Sequence, residues 1–193
     1  MGLFVAADVM ADAQAALARA AAAACEALGP DASGYRFVEP AQMHLTLVFL
    51  GAVAPDLAAA CAAALVPTFV QPAFTMTFAR LGVFPASGAP KVVWAGTSGE
   101  CAPIRALRRE VVQRLAGTQR SPLAGQPSPS DDGPFHPHVT LARARRLRGR
   151  LSDRRIVESV ALRIPVRVAS IALFESRARS DGPPSYDVMT RTV

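Results

Sequence analysis

The sequence predicts an α+β domain built mostly of antiparallel sheet. Two observations carry that expectation. First, apolar strand-like runs alternate with helical stretches in the order strand, helix, strand, helix, strand, strand, helix, strand, and further strands close the chain. Second, the pattern His, apolar, Thr, apolar occurs twice, at His44-Leu45-Thr46-Leu47 and again about half a chain later at His138-Val139-Thr140-Leu141. The duplication predicts two pseudo-symmetric lobes within one domain spanning residues 1–193, with helices on the outer faces and a groove between.

Each element has a local cause. Leu3–Ala7 is a short apolar run, read as a buried strand, after which Asp8 or Asp12 is expected to cap a helix running to about Leu28. Gly29-Pro30 stops that helix, and its many alanines combine high helix propensity with close packing. Tyr35–Val38 leads into the first His motif, whose strand is expected to end at Gly51. Pro55 opens a second Ala-rich helix to about Leu65. Phe74–Phe78 alternates as a half-buried strand does, and Lys91–Gly96 is its neighbour across a Gly/Pro turn. Between Pro103 and Leu115, the residues Ile104, Leu107, Val111 and Leu115 recur at helical spacing with arginines between them. Residues 118–134, with four prolines among Ser, Gly and Asp, read as a surface loop. After the second motif come an Arg-rich stretch, Arg143 to Arg155, and three strand-like pieces at Ala161–Val166, Ser170–Phe174 and Tyr186–Thr190.

Composition narrows the class. Of 193 residues, 51% are hydrophobic and 19% charged, which argues for a packed core rather than disorder. The 21 Lys+Arg against 15 Asp+Glu give a net charge of +6, which suits an anionic partner such as nucleic acid. Cys25, Cys61 and Cys101 lack metal-ligand spacing and read as reduced buried thiols rather than a disulfide framework. The Ala15–Leu28 run is interrupted by Arg19 and Glu26 and is too weakly apolar to span a membrane. The expected compartment is the cytoplasm, with no membrane association and no obligate protein partner.

The paired motifs point to chemistry because strand residues at i and i+2 share a face. His44 and Thr46 are therefore expected to project together while Leu45, Leu47 and Phe49 pack into a core. His138 and Thr140 repeat the arrangement over Val139 and Leu141. Two imidazoles and two hydroxyls would then converge on one pocket. Opening a cyclic phosphodiester needs a base to activate water and an acid for the departing oxygen, and histidine serves either role near neutral pH. The threonine hydroxyls can hold the non-bridging oxygens. No metal or other cofactor is implied, and the sequence offers no phosphate-binding Gly-rich loop, serine-nucleophile elbow or carboxylate cluster as a rival.

These residues and their surroundings resemble the 2H phosphoesterase superfamily, and within it the bacterial and archaeal RNA 2′,3′-cyclic phosphodiesterases, also called the 2′-5′ RNA ligase family. The resemblance runs through Leu3-Phe4-Val5-Ala6, Arg36-Phe37-Val38-x-Pro40 and His44-Leu45-Thr46-Leu47-x-Phe49-Leu50-Gly51. It continues in Leu81-Gly82-x-Phe84-Pro85, Val93-Trp94-Ala95-Gly96 and Phe135-x-Pro137-His138-Val139-Thr140-Leu141-Ala142-Arg143. Glu175-Ser176 and Gly182-Pro183-x-x-Tyr186 complete it. Phe37, Ala41-Gln42-Met43 and the Pro-rich loop depart from the family pattern without touching the paired motifs.

The resemblance implies metal-independent hydrolysis of RNA 2′,3′-cyclic phosphate ends to 2′-phosphomonoesters, with 2′-5′ ligation where a 5′-hydroxyl partner replaces water. It assigns His44 as proton donor and His138 as proton acceptor, a split that motif symmetry leaves open. Thr46 and Thr140 would contact phosphate. So would Arg143 by resemblance, although regular alternation puts it opposite His138 and a twist or bulge is required. His136, before Pro137, is expected in a structural or rim role rather than as a third catalytic group. Phe49 and Phe135 are candidates for base contact, with core packing favoured for Phe49. Arg148 and Arg150 are candidates for RNA phosphates within a solvated basic face. Two other readings stand beside this one: a 2H enzyme for a small nucleotide, such as a 2′-5′ oligonucleotide or an ADP-ribose cyclic phosphate, and a non-catalytic nucleotide- or RNA-binding module.

Overall fold

The structure is a computed structural model that describes residues 2–118, 135–145, 152–179 and 183–192. The loop expected at 118–134 therefore falls almost wholly outside the described residues, as do Arg148 and Arg150. Nine strands among the described residues form one sheet: β1 (Gly2–Ala7), β2 (Tyr35–Phe37), β3 (Leu45–Ala52), β4 (Phe74–Phe84), β5 (Val92–Gly96), β6 (His138–Ala144), β7 (Ala161–Val168), β8 (Ile171–Arg177) and β9 (Ser185–Thr192). Four helices accompany them, α1 (Ala11–Leu28), α2 (Pro55–Leu65), α3 (Ala102–Ala116) and α4 (Asp153–Glu158). The strand order is β7-β4-β5-β6-β3-β1-β8-β9, with β2 paired to β6, and every pairing is antiparallel.

The two His-motif strands, β3 and β6, are adjacent at the centre. They meet through a single residue pair, Leu45 with Val139. Outward from this junction the main path carries three more strands on each side, with β2 added beside β6, but the sides are not the two halves of the chain. One side takes β1 and β3 from the beginning and β8 and β9 from the end, while the other takes β4, β5, β6 and β7 from the intervening sequence and β2 from before β3. The expected spacing of lobes along the sequence is corrected accordingly. Helices interlock the two sides further. Helix α1 follows β1 yet packs against β6, β7 and α4, and α3 follows β5 yet packs on β3.

The periodicity of α3 is realised fully: Ile104, Leu107, Val111 and Leu115 are all buried. Each contributes roughly 1.5–3 kcal/mol on leaving water. Ala13, Leu17, Ala20, Ala21, Ala24 and Leu28 make the buried face of α1. Several local expectations need correction. Asp8 does not cap α1; its carboxylate accepts from Ser170 Oγ at 2.6 Å and from Arg191 Nε at 2.9 Å. Asp12 lies within the first turn and accepts from the Ala13 N–H. Gly51 sits inside β3 rather than ending it, at φ 69°. All three cysteines are free, but only Cys61 is fully buried.

The Arg-rich stretch is also not uniformly a solvated face. Its end forms α4, where Asp153 is buried and accepts from the Tyr35 hydroxyl at 2.8 Å. Arg154 in the same helix donates to the Pro85 carbonyl at 2.9 Å. A polar anchor inside a basic run leaves no periodic apolar signal to read.

Candidate active site

Two β-bulges decide which side chains meet. Along β3 the pairing with β1 slips between Val5 and Ala6, so Val48 faces Val5 while Thr46 faces Ala6 and Leu47 is the extra residue. Along β6 the pairing with β5 slips between Val93 and Trp94, so Ala142 faces Val93 while Thr140 faces Trp94 and Leu141 is extra. Each bulge buries two consecutive residues, Leu47-Val48 and Leu141-Ala142. The residues beyond them consequently change face. The carbonyl of each extra residue still has a donor: Arg108 Nε reaches Leu47 O at 3.1 Å, and the Val38 N–H reaches Leu141 O at 2.8 Å.

The result corrects the core assignment of Phe49. It is 66% exposed and lines a cleft with His44 and Thr46. Arg143, the corresponding residue of β6, joins His138 and Thr140 in that same cleft, through the bulge that regular alternation lacked. The cleft measures about 460 Å³. His136 and Phe135 stand apart from it. His136 is exposed and its ring lies 6.4 Å from Phe84 at the cleft wall, which is a rim position. Phe135 is half-buried under the Arg108 guanidinium, 4.9 Å from its ring centre.

The two imidazoles have matching supports. His44 Nδ1 lies 2.7 Å from the Gln42 carbonyl, and His138 Nδ1 lies 2.7 Å from the His136 carbonyl. A carbonyl only accepts, so each Nδ1 carries its proton and Nε2 is left as the proton-exchanging atom. Each ring also meets an aromatic edge-on: Tyr186 at 5.1 Å and 86° for His44, Phe84 at 5.1 Å and 78° for His138. Phe4 adds a face to His44 at 4.8 Å. These apolar neighbours desolvate the rings, and that burial is the main reason both pKa values fall below the ordinary histidine value. The carbonyl hydrogen bonds oppose the fall, while the Arg143 charge adds to it at both sites.

Thr46 and Thr140 are half-buried in the cleft, and neither hydroxyl has a protein partner among the described residues. Arg143 pairs across strands with Arg36, which also lines the cleft. Like charges directly opposite one another cost stability unless an anion lies between them. Neither guanidinium pairs with a carboxylate among the described residues. Sequence reasoning passed over Arg36, Phe4, Phe84 and Tyr186 as site residues, although all four lie in the segments that carried the resemblance. They arrive from neighbouring strands, and no spacing within one strand signals that. Also among the described residues, no three of His, Cys, Asp and Glu are grouped as metal ligands would be, and no helix is long and apolar enough to cross a membrane.

The antiparallel sheet, with its two His-x-Thr strands meeting at one residue pair, is the arrangement expected of the 2H phosphoesterase superfamily. More narrowly, residues 1–179 match the 2′-5′ RNA ligase superfamily, and the chain belongs to it. An RNA 2′,3′-cyclic phosphodiesterase of Aeropyrum pernix is 34% identical over 149 residues, covering 76% of this chain and 79% of that protein. One from Escherichia coli K12 is 37% identical over 101 residues, 52% of this chain and 51% of the relative. Among solved structures, a Thermus thermophilus protein superposes with a TM-score of 0.74 at 28% identity, covering 99% of this chain and 96% of that one. E. coli LigT in complex with 3′-AMP shares the fold, with a TM-score of 0.69 at 24% identity and coverage of 98% and 95%.

Proposed function

We propose that the chain is a single bilobal domain that hydrolyses RNA 2′,3′-cyclic phosphate ends to 2′-phosphomonoesters. The observation that carries this reading is the matched pair of imidazoles, each with Nδ1 tied to the carbonyl two residues before it, flanking two unpartnered threonine hydroxyls. The names of the relatives support the substrate class. His138, neutral, takes a proton from water as its oxygen attacks phosphorus. The P–O3′ bond breaks in line with that attack, and protonated His44 delivers its proton to the departing 3′ oxygen. The phosphate stays on O2′, and solvent exchange returns both rings to their starting states. Thr46 and Thr140 hold the non-bridging oxygens, while Arg143 and Arg36 offset their charge. With a 5′-hydroxyl in place of water the same groups would run the ligation direction.

The test is turnover of a short RNA ending in a 2′,3′-cyclic phosphate, with EDTA present, for the parent protein and for His44→Ala and His138→Ala. Each substitution removes a proton-transfer group, so each should slow turnover by about 10²–10⁴-fold. The two losses should fall short of multiplying in the double variant. Near-normal turnover in either single variant would refute the mechanism. Loss of activity on chelation, restored by zinc, would show a metal enzyme instead.

A further inference from the structure

A second cavity, of about 260 Å³, lies beside the His138 end of β6 and shares no lining residue with the two-histidine cleft. Arg80, Trp94, Glu100, Arg105, Phe135 and His136 are among its walls. It adjoins the cleft closely: the Trp94 ring is 6.1 Å from that of His138, and the His136 ring is 6.4 Å from that of Phe84.

Its chemistry favours an anion. Two guanidiniums and an imidazole face one carboxylate, Glu100, whose side chain is 84% exposed and 3.3 Å from Arg105. An ion pair that open to water is weak and easily exchanged. Trp94 is only 5% exposed, yet its indole Nε1 has no hydrogen-bond partner, and neither does the buried Arg105 Nε. Both atoms are donors only, and buried donors without acceptors are uncommon in folded proteins. Arg80 lies over the Trp94 ring at 4.9 Å, adding charge along a flat wall. The cavity thus carries an excess of positive charge beside the reacting centre, with two unsatisfied donors buried behind its wall.

We infer that this cavity is a second phosphate subsite, which takes a phosphodiester group of an RNA strand engaged at the cleft. The inference rests on the nucleotide chemistry proposed for that cleft. The phosphodiester belongs either to the strand that bears the cyclic end or to a strand whose 5′-hydroxyl replaces water. The in-line geometry favours the second, because the attacking oxygen enters from the His138 side.

Trp94 is the only tryptophan in the chain, so its fluorescence reports binding without turnover. The full chain is titrated with 2′-AMP, with a trinucleotide ending in a 2′-phosphate, and with a 5′-hydroxyl trinucleotide added after 2′-AMP has filled the cleft. The proteins compared are the parent, Arg105→Gln, Arg105→Lys and the double variant Arg80→Ala/Arg105→Ala, each checked by thermal melting. The parent should bind at least one trinucleotide more tightly than 2′-AMP. The double variant should lose about tenfold or more of that affinity, as expected for hydrogen bonds to a charged group. Its log affinity should fall less steeply with log salt, by about 0.7 for each phosphate contact removed from a single strand. Arg105→Lys should recover part of the loss seen in Arg105→Gln.

A defect confined to the 2′-phosphate trinucleotide assigns the subsite to the cyclic-end strand, and one confined to the 5′-hydroxyl trinucleotide assigns it to the attacking strand. Equal affinities and salt slopes in the parent, Arg105→Gln and the double variant would overturn the subsite. That result would leave the two-histidine mechanism standing, since the histidine variants test it separately.

Discussion

Substituting Gly82 by Ala should damage both stability and turnover through the Trp94 indole. Gly82 of β4 pairs with Trp94 of β5, and the ring lies over the glycine where a side chain would be. A Cβ at position 82 would stand 2.3 Å from Trp94 Cζ2 and 2.6 Å from Cη2. Real Cβ contacts essentially never fall below 3.0 Å, so the indole must withdraw by about 0.7 Å or more. It has little room to do so, with the Phe84 ring stacked at 5.2 Å and the Arg80 guanidinium at 4.9 Å. Overpacking of this kind costs about 1–3 kcal/mol. For a chain of this size that corresponds to a fall in Tm of roughly 2–12 °C. The strain also reaches the site, because Phe84 holds the His138 ring edge-on and Trp94 lies 6.1 Å from it. A displacement of about 1 Å in a catalytic group can cost on the order of 100-fold in rate, which bounds the loss of kcat. Thermal unfolding, Trp94 emission and turnover of a 2′,3′-cyclic mononucleotide are the three measurements. A Gly82→Ala protein that melts within about a degree of the parent, with unchanged emission and turnover, would refute the close packing of the indole on Gly82.

Two other perturbations probe the electrostatics. Both imidazoles are pushed below the ordinary histidine pKa of 6.5, so the form with one ring protonated and one neutral is most populated in mildly acidic solution. The kcat/KM profile of the parent should therefore peak below pH 6.5. Arg143→Gln removes a positive charge that disfavours both imidazolium ions, so it should move both limbs of that profile to higher pH while lowering its height. A maximum that stays in place would show that Arg143 exerts no field on the two rings. Tyr35→Phe removes the 2.8 Å hydrogen bond to buried Asp153 and should cost about 1–3 kcal/mol at neutral pH, read by urea unfolding. An unchanged midpoint would mean that this contact does not anchor α4.

Much of the architecture was legible because it is local. Helix α3 announced itself through Ile104, Leu107, Val111 and Leu115, whose spacing matches the helical turn whatever the chain packs against. The strands showed as short apolar runs between Gly and Pro, and the duplicated His-x-Thr pattern marked the two that matter. Helix α4 was hidden because it is short and has one fully buried apolar side chain, Val157, beside a buried carboxylate, Asp153, which accepts from Tyr35 of β2, far away in sequence. Asp8 misled for a similar reason. A carboxylate before a helix commonly caps it, but here Ser170, just before β8, and Arg191 of β9 hold it instead.

The sequence by itself determined the secondary-structure order apart from α4, the family, and the four residues His44, Thr46, His138 and Thr140 as candidates for one site. Their same-face placement needs only the two-residue period of a strand, which operates before either bulge begins. The facing of residues beyond each bulge was decided by tertiary structure alone. Whether Leu47 and Leu141 are paired or extra depends on how β1 and β5 align beside them, and one extra residue reverses the side chains that follow it, in β3 as far as a second slip at Leu50. For that reason Phe49 left its expected core position for the cleft, and Arg143 came to the side of His138. The aromatic partners of the imidazoles, Phe4, Phe84 and Tyr186, and the cleft residue Arg36 lie on other strands, and only the pairing of the sheet brings them within reach. Alternation is written residue by residue along a strand, whereas register is a property of two strands together.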